Sequence, residues 1–143
     1  MTVKDAKREL RPIKDMEKAV IALDMEIERL ETAATKMTAN YAAVKITGSP
    51  ENKLEKAAME LAGYREQLED MRADLIEQKN KCISKVGKIE PDNLRTVLLL
   101  YYFQNNTLER TAEIIGKSYQ WTYELFKSAL KEYCKISDGV DTN

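Results

Sequence analysis

The sequence predicts an all-α protein, a long antiparallel helical hairpin followed by a small helix-turn-helix domain. Three observations carry this expectation. Apolar residues recur at alternating steps of three and four along two long stretches, the signature of helices that bury one stripe against a partner. The 143 residues include only 5 glycines and 3 prolines, with 33% charged and 43% apolar residues, a composition that suits long helices. Residues 107–125 combine a small residue, a glycine four positions later and helically spaced positions beyond it, which together define a tight helix-turn-helix.

The chain opens with a charged, weakly periodic stretch, and Pro12 marks a place where a helix starts afresh or kinks. From there the seam is regular: Ile13, Met16, Val20, Leu23, Ile27, Leu30, Ala34, Met37, Tyr41 and Val44, with Lys, Glu, Asp and Arg between. A helix of about 33 residues over this seam spans about 50 Å. Thr47-Gly48-Ser49-Pro50-Glu51-Asn52 breaks it, with Gly48 as terminator, Ser49 as N-cap and Pro50 in the first helical position. A second seam follows through Leu54, Ala57, Leu61, Tyr64, Leu68, Met71 and Leu75, then Gln78, Cys82 and Lys85. Its register drifts after Leu75, where Ile76, Ile83, Val86 and Ile89 form a second stripe. Two helices of similar length with a short connection pair antiparallel. Such a hairpin leaves Ile21, Met25, Ile46 and Ile76 outside, so self-association as a homodimer or higher is expected. The alternative is that the second stripe packs on the C-terminal domain without a dimer.

Pro91 closes the hairpin region, 1–90, and opens the domain 91–136. Leu94 to Phe103 is apolar nearly all round, which predicts a buried helix. Asn106 and Glu109 resemble a capping box for the next helix, Ala112 is small where helices cross, and Gly116 suits a left-handed turn. Ser118 caps the last helix, whose inner positions are Thr122, Leu125 and Ala129 and which ends near Cys134. Trp121 is placed in the core, and residues 137–143 in a disordered tail.

Histidine is absent and the two cysteines, Cys82 and Cys134, lack metal-site spacing. Zinc binding, histidine-based acid–base catalysis and therefore an ordinary enzyme are not expected, nor is any cofactor. Both cysteines read as free thiols. No apolar run reaches the roughly 20 residues of a membrane span, and no signal-peptide core is present, so the expected location is the cytoplasm without membrane association.

The last helix is the candidate site. If it lies in a DNA major groove, its N-terminal outward residues Tyr119, Gln120, Tyr123, Glu124 and Lys127 face the base edges. Gln120 suits adenine, the tyrosines suit phosphate or a thymine methyl, and Arg110, Lys117, Lys127 and Lys131 suit phosphates, with Ser118 at the helix start. Charge argues the other way. Residues 91–136 hold six basic residues against five acidic ones, and the whole chain has 23 Lys+Arg against 24 Asp+Glu.

Residues 94–133 resemble region 4 of bacterial sigma factors: Leu98-Leu99-Leu100-Tyr101-Tyr102-Phe103 stands at its hydrophobic helix, Thr107-Leu108-Glu109 at the next helix start, Gly116 and Ser118 at the turn, and Ala129-Leu130 near the end. Over residues 10–133 the chain is similar to small phage and prophage proteins of Gram-positive bacteria, with Ala34-Thr35-Lys36-Met37-Thr38 and Ser49-Pro50-Glu51-Asn52-Lys53 matching two of their signatures. The resemblance implies a phage-encoded transcription regulator in the bacterial host cytoplasm, similar to activators of late genes, with double-stranded DNA as its partner. Where sigma region 4 has arginines, this chain has Tyr119, Trp121 and Tyr123, and Tyr101 replaces an arginine of the preceding helix. The alternative expectation is a protein-interaction module, an adaptor or inhibitor of host RNA polymerase or another host protein, working through the hairpin or the aromatic face of the last helix.

Overall fold

The computed structural model describes residues 1–44 and 50–139, apart from the side chains at positions 38, 40–44, 50 and 51. The expected terminator Gly48 and cap Ser49, the seam positions Tyr41 and Val44, the exposed Ile46 and tail positions 140–143 lie outside this description. The chain is all-α, with α1 Val3–Val44, α2 Pro50–Val86, α3 Asp92–Leu98 continuing as a π-helical turn Leu99–Phe103, α4 Leu108–Ile115 and α5 Tyr119–Ser137. None of the described helices is long and apolar enough to cross a membrane.

The chain divides into two compact units. Ala19–Ala73 holds the middle of the two long helices. Val20 and Ile27 of α1 and Leu61 and Leu68 of α2 are buried, with Leu23, Leu30, Tyr64 and Met71 partly so; these are the expected seam positions. Arg65 pairs with Glu31 at 2.6 Å and Arg72 with Asp24 at 3.9 Å. Seven residues forward along α1 match seven backward along α2, which fixes an antiparallel register. Ile21, Met25 and Met59 are exposed.

The second unit joins Met1–Lys18 with Asp74–Asn143. Its core therefore reaches beyond the segment 91–136: Ala6, Leu10 and Ile13 of α1, Val86 at the end of α2 and Ile89 in the connection after it are fully buried, as are Val97, Leu98, Leu130 and Tyr133. The second stripe splits accordingly, with Val86 and Ile89 in this core and Ile76 and Ile83 exposed.

The start of α1 differs from expectation. It begins at Val3 and runs unbroken through Pro12. Thr2 and Asp5 form a capping pair, in which Thr2 Oγ1 accepts from the Asp5 N–H and Asp5 Oδ2 accepts from the Thr2 N–H. Proline inside a helix costs about 3 kcal/mol. Burial of Leu10 and Ile13 on either side of Pro12 offsets that cost.

Three further points differ in α3 to α5. The apolar run ends in a π turn, in which Gln104 N–H reaches the Leu99 carbonyl at 3.0 Å. Thr107, not Asn106, caps α4 by accepting from the Arg110 N–H; Asn106 instead turns back, its Nδ2 donating to the Leu100 carbonyl. The last helix extends to Ser137, with Asp138 as its C-cap, so positions 137–139 are structured and the Met1 amino group lies 2.7 Å from Asp138 Oδ1.

Two polar groups tie α1 into this unit. Lys14 is only 8% exposed, and its ammonium donates to the carbonyls of Tyr101 at 2.9 Å and Asn106 at 2.7 Å while lying 4.0 Å from the centre of the Tyr101 ring. Burial pushes its pKa down, and nearby Lys18 and Arg11 add to the shift. Glu9 Oε1 accepts from Lys85 Nζ and from the hydroxyl of the fully buried Tyr133, both at 2.8 Å.

Burial alone would raise the Glu9 pKa, but the Lys85 and Tyr133 hydrogen bonds outweigh it and hold the carboxylate below its ordinary 4.5. A carboxylate with a lowered folded-state pKa adds stability that is present above pH 4.5 and lost as pH falls from there through the folded value. Glu9→Gln is therefore expected to be less stable than wild type at neutral pH. The gap should narrow on acidification below pH 4.5, read by denaturant unfolding at several pH values.

Candidate functional site

The helix-turn-helix corner is built from two helix starts of the same design. Thr107 caps α4 and Ser118 caps α5, each hydroxyl accepting an N–H three residues on. Four residues after each cap a threonine, Thr111 or Thr122, returns its hydroxyl to the cap carbonyl, and both threonines are fully buried. Between them α4 ends at Gly116, with φ 72° and ψ 34°. Lys117 N–H reaches the Ala112 carbonyl and Gly116 N–H the Glu113 carbonyl, the two bonds of a Schellman turn.

A Cβ at Gly116 would meet nothing within 4 Å, so only the backbone demands glycine there. Gly116→Ala is expected to cost about 1–2 kcal/mol, the penalty of a left-handed backbone on an L-residue. Chemical denaturation would measure it.

Thr122, Phe126, Ala129, Leu130, Tyr133 and Cys134 form the buried stripe of α5. Leu125, expected inside, is only partly buried, and Phe126 fills that place against Tyr101 and Tyr102. Trp121 is a clear correction: it is 54% exposed, because one residue before the inward Thr122 lies about 100° round the helix and away from that stripe. Both cysteines are free and buried, and burial pushes their thiol pKa values up.

The candidate residues fall on the exposed side of the corner. Tyr119, Gln120, Tyr123, Glu124 and Lys131 on α5, and Arg110, Lys117 and Ser118 before it, are exposed; Lys127 is partly so. Tyr119 and Tyr123 stack with centroids 6.4 Å apart and planes 7° from parallel. Glu124 Oε1 accepts from Gln120 Nε2 at 3.2 Å and sits 3.1 Å from Lys127 Nζ. Lys127 also lies 4.8 Å from the Tyr123 ring centre, and Lys117 6.0 Å from that of Trp121. Arg110 pairs with Glu113 at 2.9 Å. Glu124 thus engages the two side chains, Gln120 and Lys127, that would otherwise face a ligand freely.

The surface also contains residues not anticipated. Ile114 near the end of α4 is 47% exposed, and with Tyr119, Trp121 and Tyr123 it gives the corner four large exposed apolar side chains. Its helical position, two residues before the turn glycine and two after Ala112, was the available signal. Comparison with known protein families, with characterised proteins and with solved structures gives no match.

Proposed function

We propose that the chain is a phage or prophage transcription regulator that binds double-stranded DNA through α5, acting as a homodimer in the bacterial host cytoplasm. The observation that carries this reading is the corner itself. A glycine-terminated α4, a Schellman turn and a serine-capped α5 leave Tyr119, Gln120 and Tyr123 exposed at the start of the second helix. That is the part of a recognition helix that meets base edges. Fluorescence anisotropy with duplexes flanking the gene tests it. Binding at low salt that loses sequence preference in Gln120→Ala with Lys127→Ala supports the reading, and no binding by wild type at low salt overturns it. Light scattering after size exclusion tests the dimer.

A second reading is a protein-binding face directed at host RNA polymerase or another host protein. Exposure of Trp121, with Ile114, Tyr119 and Tyr123 on the same corner, favours it. Large aromatic side chains are enriched in the buried centres of protein interfaces. A stoichiometric partner retained after nuclease treatment and lost in Trp121→Ala would support this second reading.

A further inference from the structure

At the corner Arg110 is paired with Glu113 and Lys127 with Glu124, which leaves Lys117 and Lys131 without a carboxylate within 4.0 Å among the described residues. A denser row of cations lies on α1. Lys4, Lys7, Arg11, Lys14 and Lys18 follow one another at steps of three and four, so they line one face of the helix, with Arg8 beside them. All but Lys14 are exposed. Lys4, Lys7, Arg8, Arg11, Pro12 and Asp15 enclose a shallow surface groove of about 340 Å³. The acidic neighbours neutralise little: Arg8–Asp5 and Arg11–Asp15 are each 3.8 Å apart and well exposed. Lys4, Lys7 and Lys18 have no carboxylate within 4.0 Å among the described residues.

Lys14 fixes where this stripe lies. Its ammonium sits 2.7 Å from the carbonyl of Asn106, the residue just before the cap of α4. Arg11 and Lys18 stand about one helical turn to either side of Lys14 on α1. In a helix-turn-helix the first helix crosses the DNA backbone.

We infer that the basic stripe Lys4, Lys7, Arg11 and Lys18 binds the phosphate backbone of duplex DNA beside the groove entered by α5. The inference rests on the DNA-binding reading above and supplies the sequence-independent charge that residues 91–136 lack. Counterion release then gives each lysine or arginine on a phosphate about 0.9 units in the slope of log affinity against log salt.

The test is anisotropy of a labelled mixed-sequence duplex titrated from about 50 to about 200 mM salt. It compares wild type, the variant Lys4→Gln, Lys7→Gln, Arg11→Gln, Lys18→Gln, and the α5 variant Gln120→Ala, Lys127→Ala. Helical content by circular dichroism confirms that each is folded. The quadruple variant is expected to bind more weakly on every sequence, with its salt slope reduced by about 3 to 4 units. An unchanged slope and affinity in that variant, with the α5 variant weakened, overturns the stripe and leaves the DNA-binding reading standing. Absence of wild-type binding at the lowest salt overturns both. Binding to anionic phospholipid vesicles but not to duplex under the same conditions also overturns the assignment of the stripe to DNA.

Discussion

Leu10→Ala is expected to lower the unfolding free energy by about 2–5 kcal/mol, the usual cost of emptying a filled core site. Leu10 is completely buried, and so are Ala6 and Ile13 on the same face of α1. They share a compact unit with the helix-turn-helix. Urea unfolding followed by circular dichroism would give the magnitude. Tyrosine and tryptophan fluorescence would place the effect, since Tyr101, Tyr102, Tyr133 and Trp121 all belong to that unit. A change within about 0.5 kcal/mol, the scale of a surface substitution, would contradict the placement of α1 in this core.

Lys14→Met is the second. Methionine keeps an unbranched apolar stem but removes the ammonium, so the carbonyls of Tyr101 and Asn106 lose a charged donor at 2.9 and 2.7 Å. A hydrogen bond to a charged group contributes about 1.5–3 kcal/mol, and an orphaned buried carbonyl costs on a similar scale. The expected loss is therefore about 2–3 kcal/mol. Amide hydrogen exchange should rise first around residues 104–107, the link that Lys14 holds between the π turn and α4. A variant as stable as wild type, with unchanged exchange there, would show that Lys14 is not what fixes this link.

The hairpin seam was legible because heptad spacing depends on local sequence alone, and Val20, Ile27, Leu61 and Leu68 are buried where that spacing puts them. The turn was legible for a similar reason: only glycine suits φ 72° well, and serine is a common N-cap. The docking of α1 was partly legible. Ala6, Leu10 and Ile13 share a helical face, but the step of three from Leu10 to Ile13 is followed by another three to Met16, so they do not continue the alternation of the seam, and Pro12 reads as a break unless the packing on both sides of it is known. Lys14 and the Glu9–Lys85–Tyr133 cluster were not legible, since nothing local marks a lysine that will be buried or a carboxylate whose partners lie on two other helices. Trp121, expected in the core, is exposed because the helical phase set by the buried Thr122 and Phe126 turns it outward.

The bond from Tyr133 to Glu9 spans 124 positions of sequence. It has a consequence for how this unit is made. The early turns of α1 share a compact unit with α5, so Tyr133 leaves the ribosome only after nearly all the intervening chain. Until then Glu9 can meet Lys85 of α2 but not the Tyr133 hydroxyl. Closing so distant a pair raises contact order, which slows folding relative to a bundle built from adjacent helices. The middle of the hairpin carries its own seam and ion pairs and is free of that delay. The two units are thus expected to mature on different clocks, the hairpin middle first and the helix-turn-helix last.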